Sequence, residues 1–212
     1  MINGINSREM ILEILLEIEE GEHSHVAIRN ALSKYQFLPK QDRAFITRVC
    51  EGTLEYRIQI DYIINSFSKV TVDKMKPAIR EILRSAVYQL KYMDSVPDSA
   101  VCNEAVKLAQ RKGFYNLKPF VNGVLRTIAR EMDQVRFPQK EDDLLKYLSV
   151  KYSMPEVLVT RWLEAYGEET TEKILADFLM EHPLTIRCRT YLNSKEEVIK
   201  SLESQGVHVA PA

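Results

Sequence analysis

The feature that most constrains this 212-residue chain is a succession of apolar stripes, each with the spacing of one face of an α-helix. Seven such stripes follow one another within residues 1–133, separated by short breaks at residues such as Gly21, Pro39, Pro77 and Gly113. Apolar residues that recur at i, i+3, i+4 and i+7 indicate amphipathic helices. Helices joined by short loops bury such stripes against one another, so an antiparallel helical bundle is predicted for residues 1–133.

The pattern changes in the last third of the chain. Residues 134–182 carry further helical stripes and are predicted to be linker helices. Residues 184–188 and 207–209 are predicted to be strands on either side of a helix that Ser194 would cap. Two strands are marginal alone, so residues 183–212 are predicted to be the truncated start of an α+β subdomain. The predicted fold class is mainly α.

The spacing of the seven glycines argues against a cofactor site. The closest two are Gly113 and Gly123, ten residues apart. Loops that hold phosphates or dinucleotides need two or three glycines within about eight residues. An S-adenosylmethionine pocket in a doubly wound sheet usually needs such a turn as well. No cofactor-binding residue is therefore predicted in this chain, and no Ser/His/Asp arrangement predicts a catalytic residue.

Several other features bear on the compartment and on metal binding. The three cysteines are far apart and form no CxxC motif, which fits a reducing compartment. The N-terminus has no signal-peptide pattern, and no apolar run approaches ~18 residues. A cytoplasmic protein without a membrane partner is therefore expected. His23 and His25 form an HxH pair, which is more typical of an exposed loop than of a metal site, and no metal is predicted.

The strongest positive signal is a basic window between residues 104 and 130, in a chain whose net charge is −1. Its basic residues are Lys107, Arg111, Lys112, Lys118, Arg126 and Arg130, against the single acid Glu104. Lysine and arginine bind phosphates through counterion release, and exposed aromatics such as Phe114 and Tyr115 can stack on unpaired bases. These residues are the candidates for RNA binding. The alternative is a solvated basic face, with the two aromatics anchoring the turn in the core.

Short motifs in a fixed order carry a family resemblance. In the first part of the chain they are Asp42-Arg43, Gly52-Thr53-Leu54, Ile82-Leu83-Arg84, Asn103-Glu104-Ala105-Val106 and Phe120-Val121-Asn122-Gly123-Val124-Leu125-Arg126. This series resembles the NusB-like all-helical domain. That domain occurs alone as an antitermination factor and fused to the front of the RsmB (Sun) family of small-subunit rRNA 5-methylcytosine methyltransferases.

The second half of the chain favours the methyltransferase family. Its motifs are Lys151-Tyr152-Ser153-Met154-Pro155, Trp162, Tyr166-Gly167 and Pro183-Leu184-Thr185-Ile186-Arg187. They look like the linker and the small ferredoxin- or RRM-like subdomain of the RsmB family. A lone NusB-type protein would end near residue 135–140.

The resemblance implies a parent protein that binds small-subunit rRNA, uses S-adenosylmethionine and methylates cytosine at carbon 5 through a cysteine. In the family, the methyl-donor loop and the catalytic Pro-Cys motif lie beyond the region that this chain matches, and the chain has no Pro-Cys. The expected partners are therefore rRNA and the protein's own C-terminal catalytic domain, and no DNA. Arg189 stands where the family usually has asparagine, so Arg187 and Arg189 join the candidates for RNA binding.

Two alternative functions remain open at this point. The chain could be a stand-alone RNA-binding adaptor of the antitermination type, with a protein partner on its acidic first helix. It could also be a module that packs on its own catalytic domain and scarcely contacts RNA. Under the preferred interpretation, residues 1–133 are a NusB-like RNA-binding domain. Residues 134–182 are linker helices, and residues 183–212 are the start of the α+β subdomain.

Overall fold

A computed structural model describes residues 6–180 and 184–210, and these residues are mainly helical, as predicted. The first seven helices are α1 Ser7–Glu19, α2 Ser24–Lys34, α3 Lys40–Glu55, α4 Arg57–Phe67, α5 Pro77–Tyr92, α6 Asp98–Arg111 and α7 Lys118–Glu131. Three more follow: α8 Leu144–Lys151, α9 Glu156–Phe178 and α10 Lys195–Ser204. The chain divides into two compact units, Met1–Ala176 and Asp177–Ala212. The predicted boundary between residues 182 and 183 lies outside the described residues.

The helix ends follow the local signals in the sequence. The side chain of Asn6 accepts hydrogen bonds from the amides of Arg8 and Glu9, at 2.9 and 3.3 Å, and so caps α1. After the last turn of α1, Gly21 adopts a φ of 113°, a conformation that glycine takes at little cost. Pro77 occupies the first turn of α5, where its missing N–H removes no helical bond.

Helix α5 lies at the centre of the bundle. It packs against α1, α3, α4, α6 and α7, so its polar residues are buried together with its apolar ones. The guanidinium of Arg84 binds both carboxylate oxygens of Asp61 on α4, at 2.7 and 2.6 Å, and Glu81 at 2.5 Å. Burial raises the pKa of Glu81, and the positive charge of Arg84 opposes that shift. This ion network ties α4 to α5 inside the fold.

One glycine permits a close approach between α3 and α5. A Cβ atom placed on Gly52 would lie 2.0 Å from Cζ of Tyr88, so the ring occupies the space that a side chain would need. Tyr88 continues into an aromatic cluster with Tyr56 and Tyr92, whose rings stack with centroids 4.2 Å apart. The Gly52 position therefore sets how closely these two helices can pack.

The linker helices have a small core of their own. Leu148 of α8 packs with Val159 and Leu175 of α9, and all three side chains are fully buried. Helix α9 is interrupted at Gly167, whose φ of 73° and ψ of 174° are non-helical. Gly167 lies between two helical patterns of the sequence, residues 157–166 and 171–179, which predict two separate helices.

Helix α8 docks on α4 through its C-terminal carbonyls. The amide nitrogen of Gln59 donates to the carbonyls of Val150 and Lys151, at 3.1 and 3.2 Å. The backbone N–H of Ile58 donates to the hydroxyl of Ser153 at 3.1 Å. These bonds satisfy polar groups that the end of a helix leaves open, and they hold the linker against the bundle.

The second unit contains α10, as predicted. Ser194 caps it through a capping box with Glu197. The two predicted strands at residues 184–188 and 207–209 are wrong for the structure as described, because residues 184–210 contain no strand. The backbone bonds in this part are local ones, such as Leu192 N–H to the carbonyl of Arg189. A strand needs a ladder of bonds to a neighbouring strand, and neither segment has one.

The described part of the chain has no helix that is both long and apolar enough to cross a membrane.

Candidate nucleic-acid interface

The basic window lies on the helical hairpin of α6 and α7. Arg111 ends α6 and Lys118 begins α7, so these two residues and Lys112 lie at the turn of the hairpin. Arg126 and Arg130 are eight and twelve residues further along α7, roughly 12 and 18 Å at 1.5 Å per residue. The structure therefore places three of these cations at the turn and two towards the opposite end of the hairpin, and Lys107 lies between them on α6.

At the turn, Arg111 and Tyr115 are exposed and Lys118 is half-buried. Tyr115 is 60% exposed, whereas Phe114 packs against the core. Tyr115 is therefore open to stacking on a base, as the RNA-binding prediction requires. Phe114 anchors the turn in the core, as the alternative prediction requires. Lys76 immediately precedes α5, and its Nζ lies 5.4 Å from the centroid of the Phe114 ring. It therefore brings a further cation to the turn. We call Lys76, Arg111, Lys118 and Tyr115 the turn cluster.

Two of the predicted cations of α6 and the turn, Lys107 and Lys112, have acidic partners within the protein. Lys112 lies 3.0 Å from both Glu9 and Glu13 of α1. Burial would lower its pKa, but the hydrogen bonds to the two glutamates outweigh burial and raise it. Lys107 pairs with Glu104 at 2.7 Å, and this hydrogen bond lowers the pKa of Glu104. Lys112 is therefore partly neutralised by the acidic first helix.

At the other end of the hairpin, the start of α6 and the end of α7 flank an open groove of about 370 Å³. Its lining residues are Asp98, Ser99, Cys102, Arg126, Ala129 and Arg130, and we call it the α6–α7 groove. Burial raises the pKa of the Cys102 thiol, Arg126 opposes the shift and Asp98 adds to it. The thiol therefore stays protonated at neutral pH, which removes it as a nucleophile.

The two arginines of the groove differ in their partners. Arg126 Nε donates to the Asn122 side chain at 2.9 Å, one turn earlier on α7. Arg130 binds the neighbouring Glu131 at 2.6 Å with 71% of its side chain exposed. Arg187 and Arg189 are exposed residues of the second unit, whereas the hairpin belongs to the first.

Sequence reasoning missed Lys76, Asp98 and Ser99 as members of these sites. Lys76 lies outside the basic window, and only the packing of α5 beside the hairpin brings it to the turn. Asp98 and Ser99 could have been found, because the break at Gly113 predicts an antiparallel hairpin. In such a hairpin the start of the first helix lies beside the end of the second.

Fold and site together define a helical bundle domain that carries a small second unit. A model of the NusB family matches residues 5–130, and the ferredoxin-like domain of Methyltr_RsmF/B-like proteins matches residues 154–212. The chain therefore belongs to the NusB family, and it continues into a domain shared with RsmF/B-like methyltransferases.

Individual proteins agree with both matches. The chain is 32% identical over 202 residues to a probable ribosomal RNA small subunit methyltransferase B of Bacillus subtilis, covering 95% of this chain and 44% of that protein. The chain thus spans less than half the length of this relative. The crystal structure of PH0851 aligns with 99% of this chain, and the alignment covers 47% of the PH0851 chain. Its TM-score is 0.69 and its sequence identity is 23%.

A third match covers the bundle alone. In the crystal structure of the antitermination factors NusB and NusE with dsRNA, a chain matches 58% of this chain and 93% of its own length. Its TM-score is 0.54 and its identity is 21%, so it shows the fold.

Proposed function

We propose that this chain is the rRNA-binding, targeting region of an S-adenosylmethionine-dependent small-subunit rRNA 5-methylcytosine methyltransferase of the cytoplasm. The observation that carries the proposal is the order of two domains on one chain, NusB at residues 5–130 and the RsmF/B ferredoxin-like domain at residues 154–212. The relative named as a probable rRNA small subunit methyltransferase B supports it, because 95% of the chain aligns with that protein.

The basic hairpin supplies a physical reason for RNA binding. The turn cluster combines three cations with the exposed ring of Tyr115, the combination that phosphate contacts and base stacking require. The α6–α7 groove adds two arginines at the opposite end. Under this proposal, the hairpin positions rRNA for a catalytic domain that this chain does not contain.

No residue of the chain is assigned to S-adenosylmethionine. The described residues form no parallel sheet, and no glycine-rich turn follows a strand in them. The residues present therefore do not fit a doubly wound methyl-donor site, and the proposal places that site in the catalytic domain.

The second unit supports an intramolecular partner. Leu184 is 90% exposed and Tyr191 76% exposed, and Ile186 and Leu192 are also exposed. Apolar side chains this open are costly in water when they lie together. The catalytic domain of the same protein would cover them in this proposal.

A stand-alone antitermination adaptor is the second candidate, favoured by the NusB structure, 93% of which the bundle matches. It gives no role to residues 154–212. The two candidates are separated by reading the gene beyond codon 212. A strand followed by a glycine-rich turn and later a Pro-Cys motif is expected for the methyltransferase. A stop codon there would instead favour the adaptor.

A further inference from the structure

The α6–α7 groove differs from a simple basic patch, because an acidic side chain lines it together with two arginines. Arg126 and Arg130 are one helical turn apart on α7, and Asp98 at the start of α6 lines the same space. Although the three residues line one groove, no ion pair within 4.0 Å joins Asp98 to either arginine in the part of the chain that the structure describes. The charges of Asp98 and Arg126 also shift the pKa of the Cys102 thiol in opposite directions, and all three residues line the groove.

The hydrogen bonds already made leave capacity for a ligand. Within residues 6–180 and 184–210, Arg126 engages only its Nε, with Asn122, so the two terminal nitrogens of its guanidinium are available to a ligand. Arg130 engages Nε and one terminal nitrogen with Glu131 and keeps the other. These nitrogens are donors of the kind that bind phosphate.

Asp98 restricts the class of ligand. A free phosphate would meet the arginines but would be repelled by the carboxylate, so phosphate alone is a poor fit. A ligand that carries an anion at one end and a hydrogen-bond donor at the other satisfies both sides. A ribonucleotide is such a ligand, since its 2′-hydroxyl donates, and the 2′-hydroxyl is the group by which proteins distinguish RNA from DNA.

The size of the groove agrees with this ligand. A volume of about 370 Å³ lies at the small end of the range for ligand sites, roughly 300–1,000 Å³. That space suits one unpaired nucleotide rather than a stacked pair. Cys102 at 2% exposed and Ala129 give it an apolar wall against which the sugar or base can pack.

We propose that the α6–α7 groove holds one unpaired ribonucleotide of the bound RNA, with its phosphate on Arg126 and Arg130 and its 2′-hydroxyl donating to Asp98. This inference rests on the proposed function, because it assumes that the chain binds RNA. It adds the single nucleotide, the residues that hold it and the selection of RNA over DNA.

The first test replaces the phosphate ligands. The probe is a short single-stranded RNA of small-subunit rRNA sequence, and the full 212-residue chain is titrated into it at several salt concentrations. The double variant R126Q/R130Q is expected to lose affinity about tenfold or more at low salt. The slope of log K against log salt should also fall by about 0.7, the value for one phosphate of a single strand.

The matched control is R29Q/R161Q, which removes two exposed arginines of α2 and α9. It changes the net charge by the same amount but leaves the groove intact. The inference is overturned if the wild-type chain binds and R126Q/R130Q matches this control. If the wild-type chain does not bind the RNA at low salt, the proposed function and this inference fail together.

The second test addresses Asp98 with RNA and DNA of the same sequence. D98A and D98N remove the same charge, but the asparagine keeps an oxygen that accepts a hydrogen bond. The wild-type chain and D98N are expected to prefer RNA several-fold, and D98A is expected to bind RNA and DNA almost equally. An equal preference in D98A and D98N would overturn the role of Asp98.

Discussion

Helix α7 and the strand at residues 184–188 were both predicted from patterns local in the sequence, yet only the helix is present in the structure. The difference lies in where the backbone hydrogen bonds are made. Each N–H within a helix bonds four residues back on the same segment, whereas a strand depends on a neighbour that may be distant in sequence. The bundle is consequently complete in itself, and the second unit keeps Leu184 and Tyr191 exposed.

The largest loss of stability is expected at Arg84, whose ion network lies inside the bundle. Arg84→Ala would leave the buried carboxylate of Glu81 and the half-buried carboxylate of Asp61 without their cation, and a loss of about 3–5 kcal/mol in the free energy of unfolding is expected. Urea denaturation of the full chain measures it. The control Lys173→Ala removes an ion pair with Glu169 that is 73% exposed on the lysine side, so it should cost at most about 1 kcal/mol. Equal costs would show that the Arg84 network contributes no more than a surface pair.

The next effect concerns the packing of α3 on α5. Gly52→Ala places a methyl group 2.0 Å from a ring carbon of Tyr88, so the helices must separate or the ring must move. A destabilisation of about 1–3 kcal/mol is expected by thermal unfolding. Gly123→Ala is the matched control, because nothing lies within 4 Å of its added methyl on α7. That variant should gain up to about 1 kcal/mol from helix propensity, and a loss there would contradict the packing described.

A smaller effect compares helix caps in the two units. Asn6→Ala removes the cap of α1 and should lower the unfolding free energy by about 1 kcal/mol. Ser194→Ala removes one half of the capping box of α10, and the amides of that helix should exchange with solvent about fivefold faster. Hydrogen exchange read residue by residue measures both. Unchanged exchange in α10 would mean that the capping box does not stabilise it.

The smallest effect is a pH dependence in the linker. A hydrogen bond from Lys151 lowers the pKa of Glu172 to about 2, against burial, and Tyr152 and Lys140 add to the shift. A carboxyl with a lowered folded-state pKa stabilises the fold above its ordinary pKa of 4.5 and loses that contribution as the pH falls towards 2. Glu172→Gln should therefore flatten the fall in Tm between these two pH values. Glu164→Gln, at an exposed position of α9, should leave the curve as it is.

The sequence was informative where structure is local. The cap at Asn6, the proline at the start of α5 and the capping box at Ser194 all follow from residues within one or two turns. The pairing of Lys112 with Glu9 and Glu13 could not be predicted, because it joins residues that are about a hundred positions apart. The same holds for Lys76 at the turn cluster.

The candidate site was predicted in part. The basic residues of α6 and α7 are where the helical pattern placed them, and Arg111 and Lys118 lie at one end of the hairpin, as the break between the two helices indicates. Their role in RNA binding stays a prediction. The predicted strands failed for a different reason, since a β-branched pattern specifies a strand only when another strand is there to pair with it.

The most direct test of the central claim is the binding of the full chain to a hairpin of small-subunit rRNA at two salt concentrations. A binder that uses about four phosphates should lose roughly a hundredfold in affinity between 50 and 200 mM salt. The account predicts this loss, together with weaker binding when Arg111 and Lys118 of the turn cluster are replaced by glutamine. Absence of binding at the lower salt concentration would contradict it and would leave only a packing role for the chain.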